Sequence, residues 1–152
     1  MDIEEKLAEL GLHLPPAPPP GGNYRPVVVV GNIAYASGHG PYGDDGTYLQ
    51  GKVGEDLTLE EGKKAAQQAG LTMLAMLKDQ LGDLNRIAEF IKVLGMVYAT
   101  PDFAQQPQVI NGFSDLMVQL YGDNGRAARS AVGLGSLPGN IPVEIEAIIR
   151  LK

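Results

Sequence analysis

Apolar positions recur along this chain with two spacings, one helical and one strand-like, separated by runs of turn-forming residues. Residues 2–11 place Ile3, Leu7 and Leu10 on one helical face, and Gly11 can end that helix. The next run, LHLPPAPPPGGN, is too rich in proline for a helix or a central strand. It predicts an extended arm on the domain or on a neighbouring subunit, with a loosely ordered tail as the alternative. Residues 1–22 are therefore set apart as helix and arm, and residues 23–152 as an α+β domain. Residues 26–37 read as a β-hairpin, PVVVV returning as IAYAS through Gly31-Asn32. Residues 40–51, with four glycines and two aspartates, predict a mobile surface loop, followed by a short strand around Lys52 and Val53.

Thr58, with Glu61 three residues on, forms a capping box that opens a helix running to Gly82. Its stripe of Ala66, Ala69, Met73, Met76 and Leu77 is a core face, methionine being a good filler of irregular gaps. Residues 86–99 are rich in β-branched and aromatic side chains and predict a long strand, bent or bulged near Gly95. Strict alternation puts Ile87, Glu89, Ile91, Val93, Gly95 and Val97 on one face and Ala88, Phe90, Lys92, Leu94, Met96 and Tyr98 on the other. A helix capped by Asp102 then runs to about Tyr121, burying Val109, Ile110, Phe113, Met117 and Leu120. Two last strands, 127–137 and 142–151, flank Pro138-Gly139-Asn140. Two helices on one face of a mixed sheet make an α+β sandwich. The opposite face has no long helix to cover it, which predicts oligomerisation through the sheet.

Composition narrows the function. The chain has 152 residues, 44% of them hydrophobic and 20% charged, as in a single globular domain. Its net charge of −6, with a pI near 4.8, repels phosphate backbones and disfavours nucleic acid as a partner. The absence of cysteine excludes disulfides, thiolate metal sites and a cysteine nucleophile. No apolar run is long enough to span a bilayer, and MDIEEKLAEL lacks the core of a signal peptide, so a cytoplasmic location is expected.

Few residues can carry chemistry. His13 lies in the arm before two prolines, where solvent is expected around it. His39 follows Ser37 and Gly38 at the end of the hairpin, in a turn expected to expose it. Neither has neighbours at metal-ligand spacing. A Ser37–His39 dyad has no carboxylate placed by the sequence to orient its imidazole. Arg129 is more informative, because it interrupts an otherwise apolar strand and arginine is rarely buried without a partner. Its planar fork can bind a carboxylate ligand. Alternatively it makes an ion pair with Glu144 or Glu146, which share one face of a last strand expected to lie antiparallel beside it.

The stretch RSAVGLGSLPGNIPVEIEA, from Arg129 to Ala147, resembles the C-terminal signature of the Rid proteins, the YjgF-type reactive intermediate deaminases. The hairpin GNIAYASGH and Asn111 within VINGFSDLM resemble further parts of the pattern, so that the likeness covers about residues 20–152. The resemblance implies a chorismate-mutase-like α+β fold and a homotrimer whose sheets form a central barrel, with ligand sites in clefts between subunits. It implies hydrolysis of 2-imino acids to 2-oxo acids and ammonium, without metal or cofactor. Arg129 would hold the substrate carboxylate and Glu144 would position or activate water. Tyr24, Ser37, His39, Asn111 and the backbone N–H of Ala131 would complete the pocket. Departures from the pattern are Ala131 where many members have cysteine, His39 where glutamine is usual, Asn23 within the Gly-Pro-Tyr segment, the arm, and the longer 40–51 loop. They leave a second role open, that of a non-catalytic trimer binding a small carboxylate. The ribonuclease and translation-inhibitor roles attached to some relatives fit an acidic chain with few aromatic residues poorly.

Overall fold

In a computed structural model the protein is described over residues 2–152. Helix α1, Ile3–Glu9, is opened by Asp2, whose side chain accepts from Glu5 N–H while Glu5 reaches back to the cap. Ile3 and Leu7 are buried, but Leu10 falls just beyond the helix and is exposed, contrary to the three-residue face expected. The arm lies along the domain, with Leu12 and Leu14 packed against the core and Pro15 and Pro18 buried.

The hairpin is present as β1, Val27–Val30, and β2, Ile33–His39. Gly31 supplies the positive φ its turn requires. Helix α2, Leu59–Leu81, opens on the predicted Thr58–Glu61 capping box and closes at Gly82. Strand β3, Ile87–Tyr98, follows. Helix α3 spans Gln106–Tyr121 rather than starting after Asp102. Gln105 stands at its N-cap without a side-chain bond, and Pro107 occupies the first turn, where a missing N–H costs nothing. Strands β4, Ala128–Leu134, and β5, Val143–Leu151, complete the sheet. The short strand expected near Val53 is reduced to isolated bridges from Val53 to Leu57 and Ala99.

The strand order is β1-β2-β5-β3-β4. All neighbours are antiparallel except β3 and β4, which run parallel. This corrects the expected pairing of the last two strands: β4 and β5 flank β3 on opposite sides. Parallel partners need a crossover, and α3 supplies it. The alternation expected in β3 also fails at its start. Irregularities between Ile87 and Glu89 and between Phe90 and Lys92 carry Phe90 into the core beside Ile87 and Val93. Gly95 is not the bend; it is where Ile110 of α3 lies so close that a Cβ would sit 2.7 Å from its side chain.

Helices α2 and α3 cover one sheet face, and Val93, Val97, Val143, Ile145, Ala147 and Ile149 are buried beneath them. Gly112 lets the two helices touch at the Lys63 carbonyl, which a Cβ would strike. The other face carries Val28, Tyr35, Ile91 and Val132, all more than a third exposed. Among the described residues no helix is long and apolar enough to cross a membrane.

Candidate functional site

The sheet separates the two residues expected to work together. Arg129 is level with Val93 and Ala147, both buried on the helix-covered face. Glu144 is level with Met96 and Val132, on the open face. Two strands and three residues of offset place their backbones about 14 Å apart. Among the described residues Arg129 forms no ion pair with Glu144, Glu146 or any other acid, so that alternative does not hold.

Arg129 is instead held by α3. Its Nη1 donates to Asn111 Oδ1 at 2.8 Å and to Ser114 Oγ at 3.1 Å. Asn111 and Ser114 are one helical turn apart and so share a face. Both Nη1 protons are thereby used, while Nε and Nη2 have no protein partner among the described residues. Those two nitrogens are one edge of the fork and match the two oxygens of a carboxylate. Ala131 follows on β4, an edge strand whose backbone is paired on one side only. Asn111 therefore orients the arginine. Ser114 was not foreseen; the signal available was a second polar residue one turn after Asn111 on a largely apolar helix.

Glu144 belongs to a different cleft of about 680 Å³, lined also by Gly21, Tyr24, Gly38, Tyr48, Gly139 and Ile141. The carboxylate lies directly over Gly38, where a Cβ would come within 2.5 Å of Oε2 and 2.9 Å of Cγ. Burial, and then the charge of Glu146, raises the Glu144 pKa above the ordinary glutamate value. Tyr24 is about half exposed, and its hydroxyl accepts from Gly21 N–H at 3.3 Å. Gly38→Ala is backbone-compatible but displaces Glu144. Activity dependent on that carboxylate should fall by about ten- to a hundredfold with the melting temperature nearly unchanged, read by parallel rate and thermal-melt measurements.

Ser37 and His39 sit differently from expectation. The β2–β5 register shifts between Ala36 and His39, so Ser37 and Gly38 form a bulge. His39 is buried, not exposed. Its Nδ1 lies 2.6 Å from the Ser37 carbonyl and must carry the proton, since a carbonyl only accepts. Burial lowers its pKa and keeps the ring neutral. No Ser–His dyad forms: the Ser37 hydroxyl is buried without a partner among the described residues. Ser37 lines an adjoining cavity of about 440 Å³ on the open face, together with Arg25, Tyr35, Lys92 and Glu146. His39 does not line the Glu144 cleft; it braces the bulge that forms the cleft's edge. His13, as expected, is exposed and lies 2.6 Å from Asp44.

One chain thus carries two separate constellations, a guanidinium with a free edge at one sheet edge and a raised-pKa carboxylate in an aromatic cleft on the other face. These features, on a mixed sheet with two helices, define the class. The family described as "YjgF/chorismate_mutase-like, putative endoribonuclease" matches residues 4–143, and the chain belongs to this YjgF/Rid family. The match begins within α1 and so includes the arm. The chain is 37% identical over 151 residues to Protein TCP17 of Trypanosoma cruzi, covering 99% of this chain and 94% of that protein. A protein of unknown function from Agrobacterium tumefaciens has a similar structure, with TM-score 0.90 and 41% identity over 99% of this chain and 94% of that one. RidA from an Antarctic Psychrobacter is more distant, with TM-score 0.63 and 25% identity over 89% and 94% of the two chains.

Proposed function

We propose that this protein hydrolyses 2-imino acids to 2-oxo acids and ammonium, as a homotrimer whose sites lie between subunits. Each site joins Arg129, Asn111 and Ala131 of one subunit to Tyr24, Gly38 and Glu144 of the next. The observation that carries this reading is the split itself. Among the described residues, a fork with its outer edge unpaired and a carboxylate without a cation lie on opposite faces of one sheet, and each supplies what the other lacks. The exposed apolar residues of the open face support association through the sheet.

In this reaction the fork holds the substrate carboxylate and fixes the imine carbon beside Glu144. Glu144 takes a proton from water as the water oxygen bonds to that carbon and the C=N electron pair moves to nitrogen. The proton then passes to the nitrogen of the tetrahedral adduct. The C–N bond breaks, its electron pair leaves with ammonia, and the hydroxyl proton is released as the carbonyl forms, so that iminium and water give 2-oxo acid and ammonium. RNA cleavage, the activity named in the family description, suits a chain of net charge −6 poorly.

The test is a coupled assay in which an amino-acid oxidase generates imines and a trapping agent reports their survival. Added protein should shorten imine lifetime, and light scattering should give three times the 16.1 kDa chain mass. Unchanged imine decay, or a monomer at micromolar concentration, would overturn the proposal; tight 2-oxo acid binding without turnover would leave the non-catalytic role.

The reaction needs Glu144 ionised, and its raised pKa gives the sign of the pH dependence. Above that pKa the base is present; as pH falls through it, kcat/KM falls. The acid limb should therefore lie above the ordinary glutamate value of about 4.3. Glu146→Gln removes the nearby like charge and should move that limb to lower pH. A pH–rate profile corrected for spontaneous hydrolysis checks both.

A further inference from the structure

The Pro41–Gly51 segment, a mobile loop by its composition, is one wall of the Glu144 cleft, contributing Thr47, Tyr48 and Gln50. It is tied down along its length. Gln68 Nε2 donates to the Tyr42 carbonyl at 2.6 Å, and Tyr42 N–H donates to Thr72 Oγ1 at 3.1 Å, which fastens the loop to α2. Thr47 donates to Asp45 Oδ1 through both its N–H and its hydroxyl. Leu49 N–H donates to the Pro41 carbonyl and Gly51 N–H to the Asn140 carbonyl. Gln50 Nε2 donates to the Gly139 carbonyl at 3.0 Å. Within this frame Tyr48 packs on Tyr42, ring centroids 4.8 Å apart, yet stays 40% exposed.

A ring held in place but left uncovered offers apolar contact at little ordering cost. Gly40 keeps the surface close: a Cβ there would lie 2.8 Å from Ile141 Cδ1 and 3.3 Å from Tyr48 Cδ1. Tyr24 adds a second ring to the same cleft. A methyl-bearing ligand anchored by its carboxylate would leave this surface wet, whereas a phenyl or isobutyl group would cover it.

We infer that Tyr48, with Ile141 and Tyr24, forms a side-chain pocket that selects 2-imino and 2-oxo acids carrying a large apolar or aromatic side chain. The inference rests on the reaction proposed above, but affinity reads it without turnover. Calorimetry on the wild-type protein should give phenylpyruvate a Kd at least about tenfold lower than that of pyruvate, from the extra apolar area buried. Tyr48→Ala should shrink that ratio to within about threefold, and Tyr48→Phe should keep it. Magnetisation transfer between the ligand ring protons and the Tyr48 ring should be seen in the wild-type protein, so the test survives if Tyr48→Ala does not fold. Equal affinity for the two acids, or a ratio unchanged in folded Tyr48→Ala, overturns the inference. Retained preference for phenylpyruvate without turnover of any imine overturns the deaminase reading alone. Turnover indifferent to side-chain size, together with equal affinities, overturns the pocket alone.

Discussion

Arg129→Ala should lower kcat/KM for a 2-imino acid by between about thirtyfold and several thousandfold, the equivalent of ~2–5 kcal/mol for losing one partner of a desolvated charge pair. The geometry explains the size. Asn111 and Ser114 consume both protons of Nη1 and fix the plane of the guanidinium, leaving Nε and Nη2 as a ready-made edge. A substrate carboxylate meeting that edge gains two parallel hydrogen bonds with little ordering cost. Arg129→Lys should recover little, because an ammonium restores charge without the fork. Asn111→Ala keeps the fork but loosens it, and should cost less than Arg129→Ala. Steady-state rates with background subtraction measure all three. Equal losses in Asn111→Ala and Arg129→Ala would mean that the arginine acts only by supporting α3.

The features legible in the sequence were those fixed by local chemistry. The Thr58–Glu61 box, the Gly31 turn and the apolar face of α3 each depend on residues within a turn or two of one another, so pattern alone finds them. The pairing of β4 was not local. Its partner β3 lies on the far side of a helix in the chain, and β5, next in sequence, takes the other flank of β3. Short connections between successive strands argue for neighbours, and here that argument fails. The error reaches the site, because adjacency of β4 and β5 is what made an Arg129–Glu144 ion pair plausible. Strict alternation misplaced Phe90 for a related reason: two irregularities in β3 each shift the count by one, and nothing in RIAEFIKVLG marks them. The 40–51 loop shows the limit of composition. Glycine and aspartate predict turns correctly, but whether a turn is loose depends on partners elsewhere, here Gln68, Thr72 and Gly139.

Two inactive variants should restore each other. Glu144→Gln should lose about two to four orders of magnitude by removing the base, and Arg129→Ala alone should be nearly as weak. In a cyclic trimer each site takes its arginine from one subunit and its glutamate from the next. When the variants assemble at random in equal amounts, about one quarter of the boundaries join the arginine of a Glu144→Gln subunit to the glutamate of an Arg129→Ala subunit. Activity should therefore rise from near zero to about a quarter of the wild-type rate in the unfractionated mixture, and to about a third in trimers of mixed composition, each of which holds one complete boundary of its three. Differently tagged chains, purified through both tags after co-expression, establish that mixed trimers are present. If both residues served one site within a single chain, every site in the mixture would still lack one of them and no activity would return. The fold argues against that arrangement: Arg129 is pulled toward α3 beneath the sheet while Glu144 lies over Gly38 above it, and a ligand the size of a small acid cannot bridge two faces of one β-layer.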